Sequence, residues 1–188
     1  MFPVTLRGDR VLLREMEPRD FDAIHRYAVD PEVVRYTLWG PNDAQATQDY
    51  LDAAIASARR AEREEYTLAV ERAGELAGAA HLAVRSFAHR RGEIGYVVRR
   101  DLWGQGIAGE AAGLLLRLGF EHLGLHRIEA TCDPANAASR RVLERIGMRR
   151  EGHLRENYRA HGRWRDSLLY ALLQGEWTGF AQAGRHAP

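Results

Sequence analysis

The sequence contains no lysine: every one of its 27 Lys+Arg positions is an arginine. That excludes a Walker-type phosphate loop, which needs its lysine, and any mechanism through a lysine Schiff base. There is a single cysteine, Cys132, so no internal disulfide can form, and Cys/His clusters at zinc spacing are missing, so no metal is expected. Long apolar runs are also lacking, and Arg7, Asp9 and Arg10 interrupt the first residues. Neither a transmembrane helix nor a signal peptide is therefore expected, and the cytoplasm is the default compartment. Nor is there an excess of either charge: 27 basic against 26 acidic residues leave a formal charge of +1, which gives no reason to expect nucleic acid or an anionic membrane as partner. What is present is an ordinary globular composition, 45% hydrophobic and 28% charged over 188 residues. This suits one domain over residues 1–188 with a sizeable core. No internal repeat, low-complexity segment or linker interrupts it.

The chain is organised around Arg91 to Leu118, RGEIGYVVRRDLWGQGIAGEAAGLLLRL. Glu93 to Val98 alternates and is rich in β-formers, so it reads as a strand. Gly104, Gly106 and Gly109 follow within six residues, and Ile107, Ala111, Leu114, Leu115 and Leu118 then recur at helical spacing. Glycines at a helix entrance let a ligand approach backbone N–H groups that have no partner inside the helix, beside a partial positive charge. The unit therefore suits a phosphate or pyrophosphate. The alternative is that Gly104 and Gly106 only make a tight turn.

In chain order, Val4 to Met16 reads as a strand or bent hairpin. Pro18 and Asp20 open a helix over Phe21, Ile24 and Tyr27, and Pro31 starts a further helical turn. Tyr36 to Gln45 is a loop with a conspicuous Trp39, either a binding wall or an edge of the core. Asp43 caps a helix running to Glu62, and ARRAEREE (58–65) reads as a solvated face. Tyr66 to Val70, Leu76 to Phe87 and Glu93 to Val98 form an antiparallel meander. His126 to Thr131 is another strand. Pro134 and Asn136 introduce a helix over Val142, Leu143 and Ile146 that Gly147 stops, and Glu151 to Tyr158 and Arg163 to Leu173 close the chain around a turn at Ala160-His161-Gly162. A strand, helix and strand at 93–131 imply one locally parallel pair inside a mixed sheet.

Gly104-Gln105-Gly106-Ile107-Ala108-Gly109 literally satisfies G-x-G-x-x-G, with Glu129 at dinucleotide spacing. The context differs from that fingerprint: Arg99 to Trp103 separates strand from glycines, Glu129 falls mid-strand, and one βαβ unit is visible where a dinucleotide fold needs more. A second pattern covers nearly the whole chain. Glu93-Ile-Gly-Tyr-Val-Val98, Trp103-Gly-Gln-Gly-Ile-Ala108, Glu110-Ala111, His126-Arg-Ile-Glu-Ala-Thr131, and Asn136 with Ser139, Val142, Leu143, Gly147 and Met148 occur in order, with Arg7-Gly-x-Arg10-Val11-x-Leu13-Arg14 before them and Arg165-Asp166 after. This resembles the GCN5-related N-acetyltransferases (GNATs), and within them the RimJ/RimL type. Trp103, at the first position of the superfamily's Q/R-x-x-G-x-G/A pattern, is typical of that subset. Met148 stands where phenylalanine is more usual.

The resemblance implies an α/β fold with a largely antiparallel mixed sheet, a central parallel pair and flanking helices. It implies acetyl-CoA as co-substrate, held by Trp103 and the backbone from Gly104 to Gly109, with the pantetheine arm near Val97 and Val98 and a contact from Asn136. A backbone N–H near Val97 and Val98 would polarise the acetyl carbonyl. Glu93 is the first candidate for general base: alternation puts it on the face of Val97, about 13 Å away, within reach of a water chain. An exposed acid paired with Arg90 or Arg91 is the alternative. Ser139 would protonate the departing thiolate, although Asn136 and Ser139 equally suit a helix cap. Tyr158 is an alternative acid, placed with Glu156 on one face and His153 on the other. Tyr36 and Trp39, with Arg35, would wall the acceptor site, and His81 reads as structural. The acceptor is a primary amine, foremost a protein or peptide N-terminus, with a small amine such as an amino acid, polyamine or antibiotic as the other reading. A CoA-binding regulator without turnover is the alternative of another class. Dimers are frequent in the family, so a homodimer is one expected assembly.

Overall fold

A computed structural model describes residues 3–179. Its frame is one eight-stranded sheet: β1 (Thr5–Arg7), β2 (Leu12–Glu15), β3 (Glu65–Arg72), β4 (Glu75–Ser86), β5 (Arg91–Val98), β6 (Arg127–Cys132), β7 (Arg149–Ala160) and β8 (Arg163–Leu173), in the order β1-β2-β3-β4-β5-β6-β8-β7. Every neighbouring pair is antiparallel except β5 with β6. Short turns suffice for the meander. The parallel pair needs a crossover, which α4 (Ile107–Arg117) supplies.

The helices divide between the faces. α1 (Phe21–Ala28), α2 (Pro31–Val34) and α3 (Ala44–Ala58) set Ile24, Tyr27, Val33, Leu51 and Ala54 against Met16, Ala69 and Ala79. On the opposite face α4, apolar nearly all round, lies against Leu68, Leu82, Ile94, Val98 and Ile128. A wide last turn carries it on to His122. A Cβ on Gly119 would come within 2.4 Å of Ile128 Cδ1, so a larger residue there would have to displace that packed side chain for the turn to reach the sheet. α5 (Ala137–Arg145) follows β6, capped by Asn136, whose Oδ1 accepts the Ser139 N–H at 3.0 Å.

Three expectations are corrected. The helix capped by Asp43 stops at Ala58, not Glu62, because the chain turns inward: Ser57 Oγ donates to the Glu65 carbonyl, and Arg63 is buried, paired to Glu15 at 2.7 Å with its guanidinium 4.3 Å from the Tyr66 ring. The 58–65 segment is thus not wholly solvated. In β7 the simple alternation over 153–158 fails. Glu156 has φ +47°, the register slips between Leu154 and Tyr158, and both His153 Nε2 and the Glu156 N–H meet Asp166.

Candidate active site

β5 and β6 pair only through Arg91–Arg127, Gly92–Ile128 and Glu93–Glu129, and then diverge. Below the divergence the Arg91–Glu129 ion pair ties β5 to β6, and Arg127 on β6 holds the same carboxylate. Glu129 is therefore committed to the sheet and not placed as a ribose acid. Above it opens a cleft of about 1440 Å³ between β5, the glycine loop, the end of β6 and α5. The Arg99 N–H donates to Ala77, and Arg90 O accepts from His126 and Arg127. Strand alternation then points the main-chain groups of Val97 at β4, opposite Ala79, and those of Ile94, Tyr96 and Val98 into the gap. Val97 meets the cleft with its side chain. The Val98 carbonyl is taken by the Trp103 indole N–H at 2.8 Å, which leaves the N–H groups of Tyr96 and Val98 on the open edge.

The glycine loop forms the other wall. Gly104 and Gly106 have φ of +75° and +79°, and Gly106 caps α4 with no side chain of its own. Among the described residues, no backbone N–H from Gly104 to Gly109 has a protein acceptor; the first helical bond is Glu110 N–H to Gly106 O. No atom lies within 4 Å of a Cβ built on Gly104 or Gly109. Six free donors at a helix N-terminus make an anion cradle. Two arginines flank it: Arg10, whose Nη1 lies 3.2 Å from where a Gly106 Cβ would stand, and Arg72, bonded to the Gln105 side chain. Arg10 is brought there by Glu110, a buried acid in the first turn of α4 that accepts the Arg10 and Val11 N–H groups at 2.7 and 3.2 Å.

Across the cleft, Ser139 sits in the first turn of α5. Its Oγ is 3.1 Å from the Tyr96 hydroxyl and lies beside the Cys132 thiol. Burial raises the Tyr96 phenol well above its ordinary value, against a smaller lowering by Ser139, and pushes the Cys132 thiol up to about 11. Both groups stay protonated at neutral pH, and neither is a base or a nucleophile there.

Asn136, Ser139, Trp103, Gln105, Ile107, Ala108 and Tyr36 line this cleft; Glu93, Tyr158 and Trp39 do not. Glu93 lies on the sheet face of Val97, bonded to Arg85 at 2.9 Å rather than to Arg90 or Arg91. Tyr158 is half-buried opposite Arg165, its phenol raised by burial and then by the Asp133 charge. Trp39 is exposed, and its loop is held by the Thr37 carbonyl, 3.1 Å from His161 Nε2. His81 bonds Thr67 and Glu65 on the sheet, a structural set. At the mouth the Tyr36 ring lies between the Arg35 and Arg165 guanidiniums, 5.3 and 5.9 Å from its centroid, and Arg165 pairs with the buried Asp133. Sequence reading missed Arg10, Arg72, Tyr96, Cys132, Asp133 and Arg165 as cleft or near-cleft groups. Tyr96 alone carried a usable signal, since alternation sets it on the face of Ile94 and Val98, toward the helix that follows.

A strand pair that splays beside a glycine-bearing helix entrance defines an acyl-CoA-dependent transferase of the GNAT class. A family model for the acetyltransferase (GNAT) domain matches residues 10–149, and the chain belongs to that family. It is 33% identical to the uncharacterized N-acetyltransferase p20 of Bacillus licheniformis, over 93% of this chain and 99% of the relative. It is 27% identical to the spermidine N(1)-acetyltransferase of Escherichia coli K12, over 89% and 88%. Mycobacterium smegmatis RimJ, solved with CoA-disulfide, superposes with a TM-score of 0.84 at 31% identity, covering 94% of this chain and 90% of that one. The protein is accordingly an acetyl-CoA-dependent N-acetyltransferase. No described helix is long and apolar enough to cross a membrane.

Proposed function

We propose that this enzyme moves the acetyl group of acetyl-CoA to the α-amino group of a protein or peptide. The cleft suits the co-substrate: the loop donors, Arg10 and Arg72 would hold its pyrophosphate, and the splay would admit the pantetheine arm, which carries the thioester to be attacked. The Tyr96 or Val98 N–H is then the donor for the carbonyl oxygen on which negative charge develops. The amine lone pair forms the new C–N bond and the C–S electron pair settles on sulfur, where the Ser139 hydroxyl meets it. The proton lost from nitrogen passes through cleft water to the thiolate.

The observation that carries the acceptor reading is the state of the acids. Of the carboxylates lining the cleft, Glu110 is taken by backbone N–H groups, Asp133 by Arg165, Glu144 by the Tyr170 hydroxyl and Glu32 by Arg35; Asp9 lies on the β1–β2 turn beside the glycine loop. Glu93 is outside and engaged. An amine must attack neutral, and among the described residues the cleft carboxylates other than Asp9, at the glycine-loop end, are already paired, so an α-amino group of pKa about 7.7–8.0 is a far better acceptor than an alkylamine near 10.4. A polycation also meets Arg35 and Arg165 at the mouth, where, among the described residues, the cleft acids Glu32 and Asp133 each already have an arginine partner. The relative that acts on spermidine keeps that substrate as the second reading. Thiol release measured with a peptide bearing a free N-terminus, against spermidine, decides between them; a higher kcat/KM with spermidine overturns the α-amino reading.

A further inference from the structure

We propose that Tyr96 is a positioning residue for the leaving group: it donates its phenolic proton to Ser139 and so turns the serine's own O–H toward the sulfur. The inference rests on the acetyl-transfer reading above. Tyr96 reaches across the splay from β5 to α5, with its ring packed against the main core and its hydroxyl 3.1 Å from Ser139 Oγ and 3.4 Å from the Ser139 carbonyl. Both of these acceptors belong to one residue. Among the described residues the phenol's hydrogen-bond partners are both on Ser139, its Oγ and its carbonyl; either hydroxyl can donate across the Tyr96–Ser139 contact, and the arrangement that serves the reaction is the one in which the phenol donates to Oγ.

A serine hydroxyl has one proton to give. While its oxygen accepts from Tyr96, that proton does not point back at the phenol and can turn to the cleft, with the neighbouring Cys132 sulfur as the competing acceptor. The serine is itself fixed, because its N–H is bonded to the Asn136 cap at 3.0 Å. Burial keeps the Tyr96 phenol protonated, so it retains a proton to donate and takes no part as a base. In the reaction the C–S bond breaks, its electron pair goes to sulfur, and the oriented O–H of Ser139 bonds to the developing thiolate. The thiolate's proton is the one released by the acetylated nitrogen, and Tyr96 is unchanged at the end of the cycle.

The test is a double-substitution cycle on the full chain with Tyr96→Phe and Ser139→Ala, read by thiol release with the best peptide acceptor. Tyr96→Phe keeps the ring and its packing and removes only the hydroxyl. It should lower kcat about tenfold and leave the KM for acetyl-CoA within about twofold. With Ser139 already alanine, the second change should slow the enzyme no further. The thermal shift given by acetyl-CoA should survive in every variant. Two independent losses that multiply, an unchanged kcat in Tyr96→Phe, or loss of the acetyl-CoA shift in that variant would each overturn the assignment of Tyr96. An unchanged rate in Ser139→Ala would instead overturn the role given to Ser139 and Tyr96 with it, and a wild-type protein inactive on every amine would overturn the acetyl-transfer reading.

Discussion

Asp20 shows how single residues hold the acceptor-side helices in place. It is buried at the start of α1 and accepts from both terminal nitrogens, Nη1 and Nη2, of Arg14 at 2.8 Å, while Arg14 Nε donates to Glu71 on β3 at 2.7 Å. Burial would raise the Asp20 carboxyl, but the Arg14 bonds and the Glu17 N–H together lower it. A carboxyl lowered in the folded state contributes stability at neutral pH that is lost as the pH falls below about 4. Asp20→Asn should lower stability by about 2 kcal/mol at pH 7, since it leaves Arg14 without its main partner. The gap between variant and wild type should shrink in acid, where the wild-type pair is also broken. Melting curves at pH 7 and pH 3.5 check both statements, and an equal gap at the two values would contradict them.

Among the elements, the entrance to α4 depends on a hairpin far away in sequence. Glu110 accepts two N–H groups from the β1–β2 turn, and Gly8 leaves room for it: a Cβ there would lie 2.2 Å from Glu110 Oε1. Glu110→Ala strands the Arg10 and Val11 donors and should cost about 2–3 kcal/mol, whereas Glu110→Gln keeps an acceptor and should cost less than half of that, as denaturant titration would show. Gly106→Ala acts on the ligand as well. At φ +79° a side chain is strained by about 1 kcal/mol, and its Cβ would press on Arg10. Titration calorimetry should show CoA binding at least about tenfold weaker, with the fold retained.

The order of strands and helices was legible because it rests on local signals: alternation in 93–98, glycines before an apolar helical stripe, Asn136 three residues before Ser139. The glycine loop was legible for the same reason. What composition and spacing could not supply were long-range pairings. Nothing near Arg63 in the sequence announces Glu15, nothing near Glu93 favours Arg85 over Arg91, and the bulge at Glu156 undoes the alternation that placed Tyr158. The carbonyl donor shows the limit most clearly. Val97 and Val98 were the residues named, but which of the two amides faces the gap depends on which β5 residues bond to β4, a parity that only the sheet pairing fixes, and it selects Val98.

Over the whole molecule, an eight-stranded sheet splayed at its one parallel junction sets a polyanion cradle on one side of a gap and an arginine-flanked aromatic mouth on the other. With the cleft carboxylates other than Asp9 engaged, the acceptor's own ionisation sets the pH dependence. For a peptide α-amino group kcat/KM should rise about tenfold per pH unit and level off near pH 8, and Glu93→Gln should leave that profile in place. A profile that loses its acid limb in Glu93→Gln would make Glu93 the base, acting from outside the cleft through water.

The most direct measurement offers the enzyme acetyl-CoA with three acceptors in parallel: a peptide with a free N-terminus, the same peptide N-terminally blocked but carrying a lysine, and spermidine. Mass spectrometry then locates the acetyl group. The structure predicts one acetyl on the free α-amino group and little on the other two. Preferential acetylation of spermidine or of the lysine would contradict the account of how this cleft selects its amine.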